Sequence, residues 1–370
     1  MPTKIIFHLP SFNAGGAQKV FIEIANYLNE NNEYDVSFVV NRSKGEYINT
    51  LPSSLIIKEL ESNIPYLGGT KRFSKIIESE KPDYLFSTMP IANFKAVNAV
   101  KLSRHKPKLI TRETIDFKHS YKINPTINKK INYYTRRYSY ANADTIWFPS
   151  YECKDNTLEF LKMGDRRAVV IENPLDISGI HEKANSPFVH PFLENSYPVV
   201  TAMGRLTWQK GFDLLLESLK ILKDKGTIVQ ALILGDGKLK DELKEYAIKL
   251  GIHQHIDLIG FQSNPYAVID KSDLFVLSSR LEGMPNALLQ AMACSKPVVA
   301  TKCPTGPNEI LKAGSIPYLT KKIDAESIAT GIEYQLDHKN GEFSYIRSRD
   351  FSYDSFLIKL KNAINESNIT

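Results

Sequence analysis

Short runs of β-branched and aliphatic residues alternate with amphipathic stretches along the whole chain. Lys4–Leu9, Tyr34–Val40, Leu55–Leu60, Asp83–Ser87, Leu109–Glu113, Thr145–Phe148 and Val169–Glu172 read as strands, with helical patterns such as Ala17–Asn29 between most of them. Such alternation predicts parallel sheets, because parallel neighbours need a long crossover and a helix is the usual one. Between about 177 and 197 the pattern lapses, through Ile-Ser-Gly-Ile and Ser-Pro-Phe-Val-His-Pro, and this stretch reads as a linker. The alternation resumes with Pro198–Met203, Val229–Leu234, Ile256–Gly260, Leu274–Leu277, Val298–Ala300 and Ile316–Leu319, with helices expected near 211–225, 238–250, 285–294 and 323–336. The pattern predicts an α/β chain of two doubly wound, Rossmann-like domains, 1–180 and 181–352. A last helical segment from Tyr353 has no strand after it, so 353–370 is expected to pack back on the first domain.

A length of 370 residues agrees with two cores, since single cores stop growing at roughly 250–300 residues. No apolar run nears the roughly 20 residues of a membrane span, and the first residues lack the pattern of a signal peptide, so a cytosolic protein is expected. Cys153, Cys294 and Cys303 show no metal-ligand spacing and the histidines form no metal motif, which predicts free thiols and no structural metal. The net charge of +6 lies wholly in residues 1–180, with 25 Lys/Arg against 19 Asp/Glu, which suggests that this half meets something anionic.

Parallel sheets take ligands beyond the carboxyl ends of their strands, where helix N-termini present unpaired N–H groups. Three segments of the second half fall there. Gly204-Arg205-Leu206-Thr207-Trp208-Gln209-Lys210-Gly211 follows a strand and sets two cations, Arg205 and Lys210, near one helix start, suited either to clamping a diphosphate or to a solvated turn. Leu234-Gly235-Asp236-Gly237 is strand then turn; Gly235 and Gly237 serve backbone geometry or, with Phe261 after the next strand, a floor for a nucleobase. The third runs Ser278-Ser279-Arg280-Leu281-Glu282-Gly283-Met284-Pro285-Asn286-Ala287-Leu288-Leu289-Gln290. Pro285 suits a helix's first turn, which leaves Glu282 in the loop and aims the N–H groups of Asn286, Ala287 and Leu288 outward at a phosphate or sugar. Glu282 can accept hydrogen bonds from sugar hydroxyls or merely stabilise the helix start, and Gln290 can reach back to a ribose.

Together with Cys303-Pro304-Thr305-Gly306-Pro307-Asn308-Glu309-Ile310, these motifs resemble glycosyltransferase family 4, of GT-B fold. The resemblance covers about 200–315 strongly and the first half weakly. It implies two Rossmann-like domains facing each other across a cleft and a retaining, metal-independent sugar transfer, in agreement with the absence of Asp-x-Asp. It also implies that Arg205 and Lys210 bind the donor diphosphate, while Glu282, Gly283 and Met284, with the amides that follow, hold the sugar and its phosphates. The family pattern has a second glutamate where this chain has Gln290, and Gln keeps an acceptor oxygen without the charge. Weaker donor binding is therefore expected, with Gln290→Glu raising it.

In the first half, Ser11-Phe12-Asn13-Ala14-Gly15-Gly16-Ala17-Gln18 resembles the family's Gly-Gly loop, which lines the cleft near the donor; a helix start needing small residues accounts for Gly15 and Gly16 almost as well. Where the family commonly places a histidine near the reacting sugar, this chain reads Arg112-Glu113-Thr114-Ile115-Asp116-Phe117-Lys118-His119. Glu113 or His119 is the expected sugar contact, and Asp116 a candidate for the acceptor's proton. Between Tyr121 and Tyr140, five Lys/Arg are interleaved with tyrosines, fitting an interfacial helix on an anionic bilayer, a phosphate-bearing acceptor, or a half-buried helix with solvated cations; no nucleic-acid motif accompanies them.

The expected activity is transfer of a hexose or N-acetylhexosamine from a nucleotide sugar, UDP-linked by expectation, to a growing glycan or lipid-linked oligosaccharide at the inner face of the membrane, without a cofactor. A sugar-nucleotide epimerase of the same fold and a non-catalytic partner subunit are the alternatives.

Overall fold

The computed structural model describes residues 1–13, 15–62, 64, 66–123, 129–312 and 318–366. Two compact units divide the chain, one comprising Met1–Glu172 with Ile358–Thr370 and the other Asn173–Leu357.

In the first unit, β1 (Thr3–Leu9), β2 (Tyr34–Val40), β3 (Ile56–Glu59), β4 (Tyr84–Thr88), β5 (Lys108–Arg112), β6 (Thr145–Phe148) and β7 (Ala168–Val170) form one parallel sheet in the order β3-β2-β1-β4-β5-β6-β7. The chain winds outward from β1 to β3 and then returns to β4 beside β1, which creates a switch point between β1 and β4. Helices cover both faces, so the central strands are apolar on both sides. Ile6, Leu85 and Leu109 pack with Phe73 and Ile77, whereas Phe7 and Phe86 stack at 5.2 Å and meet Phe21 and Trp147.

The second unit repeats the plan with β8 (Val199–Met203), β9 (Gln230–Leu234), β10 (Ile256–Gly260), β11 (Leu274–Leu277), β12 (Val298–Ala300) and β13 (Tyr318–Leu319), all parallel, in the order β10-β9-β8-β11-β12-β13. Of the strand expected over Ile316–Leu319, residues 316 and 317 lie outside the described residues. Each side of β9 feeds a different core: Ala231 and Ile233 pack with Leu215, Leu219 and Leu222 of the helix Phe212–Asp224, while Leu232 and Leu234 pack with Val199 and Val268. The switch point falls between β8 and β11, which are hydrogen-bonded neighbours although two strands separate them in sequence. The loops after these two strands carry the segments 204–211 and 278–285.

The stretch expected as a linker is partly ordered. Asp176 caps a helix over Ile177–Ala184 through Gly179 N–H at 2.9 Å, and Leu175, Ile180 and Ala184 bury with Leu288 and Phe275. That burial draws residues from Asn173 onward into the second unit, so the first ends at Glu172, short of residue 180. Of the segment expected on the first unit from Tyr353, residues 353–357 belong instead to the second, and the described residues join the first from Ile358 onward, where Lys359 meets Glu172 at 2.7 Å and Lys361 meets Glu33 at 3.6 Å.

Candidate functional site

Gly211, at φ +64°, lets the loop after β8 turn straight into the helix Phe212–Asp224. A Cβ there would stand 2.1 Å from the carbonyl oxygen of Ser278, so glycine is also what allows the loops after β8 and β11 to touch. Gly235 does the same on the other side, since its Cβ would lie 2.1 Å from Gly204 O. Leu206 N–H donates to Asp236 O at 2.9 Å, and Gly235 N–H donates to Gly260 O at 2.8 Å. The tips of β10, β9, β8 and β11 are thereby joined into one rim, with Phe261 54% exposed upon it.

The two loops at the switch point bring Lys210 and Glu282 together. Lys210 lays its stem against Gly204 and its Nζ 2.6 Å from Glu282 Oε1, which also accepts from Ser279 Oγ at 2.5 Å. Glu282 is buried, and Lys210 is about one-fifth exposed. Thr305 Oγ1 donates to Glu282 O, and Gly306, at φ +93°, presses against Gly283 O and Pro285, so the loop after β12 backs the loop that holds Glu282. Burial, and next the Glu282 carboxylate, push the Cys303 thiol up, so it stays protonated and is no nucleophile. Arg205, at the same tip, is exposed and has no acidic partner among the described residues.

The helix after this loop spans Asn286–Ala293, with Pro285 at the N-cap position just before its expected place in the first turn. Leu288 N–H donates to Pro285 O at 3.1 Å, which corrects the expectation that it points outward at a ligand. Asn286 Oδ1 accepts from the buried Asn173 Nδ2 at 2.6 Å, a tie that fixes the start of the helix. Ala287 is half-buried, and Gln290 is buried one turn further on.

The remaining site candidates lie in the first unit. Gly15 is the N-cap of the helix Gly16–Asn29, in the loop after β1; Ala14 lies outside the described residues. Glu113 departs from its expected sugar contact. It is 1% exposed, and its carboxylate accepts from Arg136 Nε at 2.7 Å, Tyr140 OH at 2.6 Å and Thr114 N–H at 2.8 Å. Burial pushes this carboxyl up, but the Arg136 charge and the three hydrogen bonds outweigh it and hold the group below its ordinary value. These contacts make Glu113 the anchor of the helix Lys129–Ala141. Asp116 is likewise fully buried, which takes it away from any acceptor hydroxyl: its Oδ2 meets His119 Nδ1 at 2.6 Å and Asn156 Nδ2 at 2.9 Å. It orients His119, whose ring is about one-third exposed.

Three residues that sequence reasoning gave no role stand in this framework: Ser279, Thr305 and Arg280. Their side chains fix the loop that carries Glu282, and the one signal for them is that they lie within the motifs around Glu282 and Cys303. Among the described residues no cluster of His, Cys, Asp and Glu could hold a metal ion, and no helix is long and apolar enough to cross a membrane.

The chain matches the family model for glycosyl transferases group 1 over residues 186–348 and that for glycosyltransferase family 4 over 14–178. It is 31% identical over 250 residues to an uncharacterized glycosyltransferase of Methanocaldococcus jannaschii, which spans 65% of this chain and 61% of that protein. Over 345 residues, 90% of each chain, it is 25% identical to the N-acetylgalactosamine-N,N'-diacetylbacillosaminyl-diphospho-undecaprenol 4-alpha-N-acetylgalactosaminyltransferase of Campylobacter jejuni. The crystal structure of Anabaena Alr3699/HepE in complex with UDP superposes with a TM-score of 0.80 at 19% identity, covering 98% of this chain and all of that one. Two parallel-sheet units, the motif-bearing loops at the switch point of the second, and family matches to both halves lead to one conclusion: the chain belongs to glycosyltransferase family 4 and has the GT-B fold.

Proposed function

We propose that this protein is a retaining hexosyltransferase that moves a hexose or N-acetylhexosamine from a UDP-linked donor to a lipid-linked glycan. One observation carries the reading: Lys210 and Glu282, from two separate crossover loops, meet at 2.6 Å at the switch point of the second sheet. A cation and a carboxylate in contact there match the two ends of a nucleotide sugar, the diphosphate and the sugar hydroxyls. Lys210 and the exposed Arg205 take the growing charge of the departing UDP, which needs no metal. As the bond between the anomeric carbon and the phosphate oxygen breaks, the acceptor oxygen bonds to that carbon from the same face. The acceptor's proton passes to the leaving phosphate oxygen, so no protein base is required. Glu282 accepts from the sugar hydroxyls. The UDP in the Anabaena structure and the diphospho-undecaprenol in the name of the Campylobacter relative support the choice of donor and acceptor.

Incubating the protein with UDP-glucose, UDP-galactose and their N-acetyl forms, with and without an undecaprenyl-diphosphate-linked acceptor, tests the reading. The expected product is a lipid-linked glycoside with the donor's anomeric configuration, read by NMR. An inverted product removes retention, and interconversion of the donor without transfer favours an epimerase.

Gln290→Glu has two expected consequences. The new carboxylate is buried, so the ligand-free variant melts at a lower temperature, while UDP binds more tightly because the ribose hydroxyls can donate to a charge. Calorimetric titration with UDP showing unchanged or weaker binding refutes the ribose assignment.

The tyrosine- and lysine-bearing stretch contributes an exposed face on the helix Lys129–Ala141, with Lys130, Ile131, Tyr134 and Arg137 outward and Arg136 and Tyr140 buried. Residues 124–128 of that stretch lie outside the described residues. This face is proposed to rest on an anionic bilayer, where each basic residue contributes about 1 kcal/mol. The double variant Lys130→Glu, Ile131→Glu is expected to lose flotation with vesicles containing phosphatidylserine while keeping its UDP affinity; undiminished flotation refutes the contact.

A further inference from the structure

The ion pair of Lys210 and Glu282 depends on how its two loops are joined, and one residue, Arg280, makes most of the joint. Arg280 donates from Nη1 and Nη2 to the two carboxylate oxygens of Asp213 at 2.7 and 2.5 Å. Its Nη1 also donates to Trp208 O at 3.0 Å, and its guanidinium lies 4.9 Å from the centre of the Trp208 ring. Its backbone N–H donates to Gln209 O at 2.7 Å, and Gln209 Nε2 returns a bond to Leu281 O at 2.8 Å. Ser278 Oγ donates to Lys210 O at 2.9 Å. Arg280 thus grips residues 208 and 213, on either side of Lys210, from a position two residues before Glu282.

We infer that Arg280, through its fork on Asp213, is a positioning residue that sets Lys210 against the donor diphosphate. The inference rests on the donor-site reading above. Arginine suits the task because its planar fork makes two parallel bonds to a carboxylate while its face stacks on an aromatic ring, and a lysine ammonium can do neither. Asp213 lies in the first turn of the helix Phe212–Asp224, where a negative charge is favoured, so its own position is well determined. With Arg280 holding both sides, the stretch 208–211 has little freedom, and donor binding does not have to order it.

A double-mutant cycle with UDP titration as the readout tests the inference. Arg280→Met keeps the stem beside Trp208 and is expected to raise the Kd for UDP about 10-fold, the scale of a lost charge-assisted hydrogen bond. Arg280→Lys should not rescue it. In a Lys210→Met background the same change should shift Kd by less than about twofold, because the group it positions is gone. A 10-fold shift in both backgrounds, or no shift in the first, overturns the inference. Asp213→Asn cuts the fork from the other side and should reproduce the pattern; if Arg280→Met does not fold, Asp213→Asn decides, an unshifted Kd again overturning the inference. Failure of the unsubstituted protein to bind UDP would instead sink the donor-site reading, and this inference with it.

Discussion

Lys210→Met is expected to lower transfer by about 10²–10³-fold, the usual effect of deleting one preorganised group that meets transition-state charge, and to weaken UDP binding as well. It should also reduce stability. Glu282 is buried and keeps Ser279 Oγ as a donor, but loses the cation 2.6 Å from its Oε1. Stranding a desolvated carboxylate costs about 2–4 kcal/mol, more than the pair itself contributes. Two further variants separate the effects. Lys210→Met with Glu282→Gln removes both charges, so it should regain most of the lost melting temperature and none of the transfer. Arg205→Ala should reduce transfer without moving the melting temperature, because Arg205 is exposed and pairs with no acid among the described residues. Transfer rates near those of the unsubstituted protein in Lys210→Met remove the assignment of the diphosphate clamp. A Lys210→Met protein that melts normally shows instead that Glu282 is better solvated than its burial implies.

The elements of both sheets were legible because strands buried on both faces must be apolar at successive positions, as in Ala231–Leu234, while the covering helices show the spacing of Leu215, Leu219 and Leu222. The helix Ile177–Ala184 was not. Its Ile-Ser-Gly-Ile start offers too short a pattern, and only packing against Leu288 and Phe275 makes it regular. The motif loops could be placed because glycines at 211 and 235 sit where a Cβ would collide with a neighbouring backbone. Partners across the fold could not. Nothing local ties Arg280 to Asp213, 67 positions earlier, or Asp116 to Asn156, and each of these pairs fixes a side chain that the sequence showed only as a candidate or as a neighbour of one. Glu113 is the plainest case. Its place after β5 pointed to the sugar, while the residues that claim its carboxylate, Arg136 and Tyr140, lie one helical turn apart on a later helix, a spacing that in retrospect was the available signal.

Arg136→Met should be among the most destabilising single changes in the first unit, at about 3–5 kcal/mol, because it leaves the Glu113 carboxylate charged, buried and without its cation. Arg136 also stands 4.0 Å from the centre of the Phe117 ring, a contact the Met stem keeps only in part. Glu113→Gln should cost less, since the amide oxygen still accepts from Tyr140 or Thr114 N–H, although it strands the Arg136 guanidinium. The pH dependence distinguishes the ionic contribution. Burial pushes the Glu113 carboxyl up, but Arg136 and the hydrogen bonds leave it below its ordinary value of about 4.3 in the folded state. A group depressed on folding stabilises fully above its unfolded pKa and loses that stabilisation as pH falls through its folded one. The melting temperature of the unsubstituted protein should therefore decline below about pH 4 in part through this group, and Glu113→Gln should flatten that decline while starting from a lower plateau. Calorimetry across this range is the measurement, paired with UDP titration at neutral pH. Donor affinity should be unchanged in both variants, because the carboxylate anchors the helix Lys129–Ala141 within the first unit. An Arg136→Met protein of full stability with impaired transfer would return Glu113 to the sugar-binding role that its position after β5 first suggested.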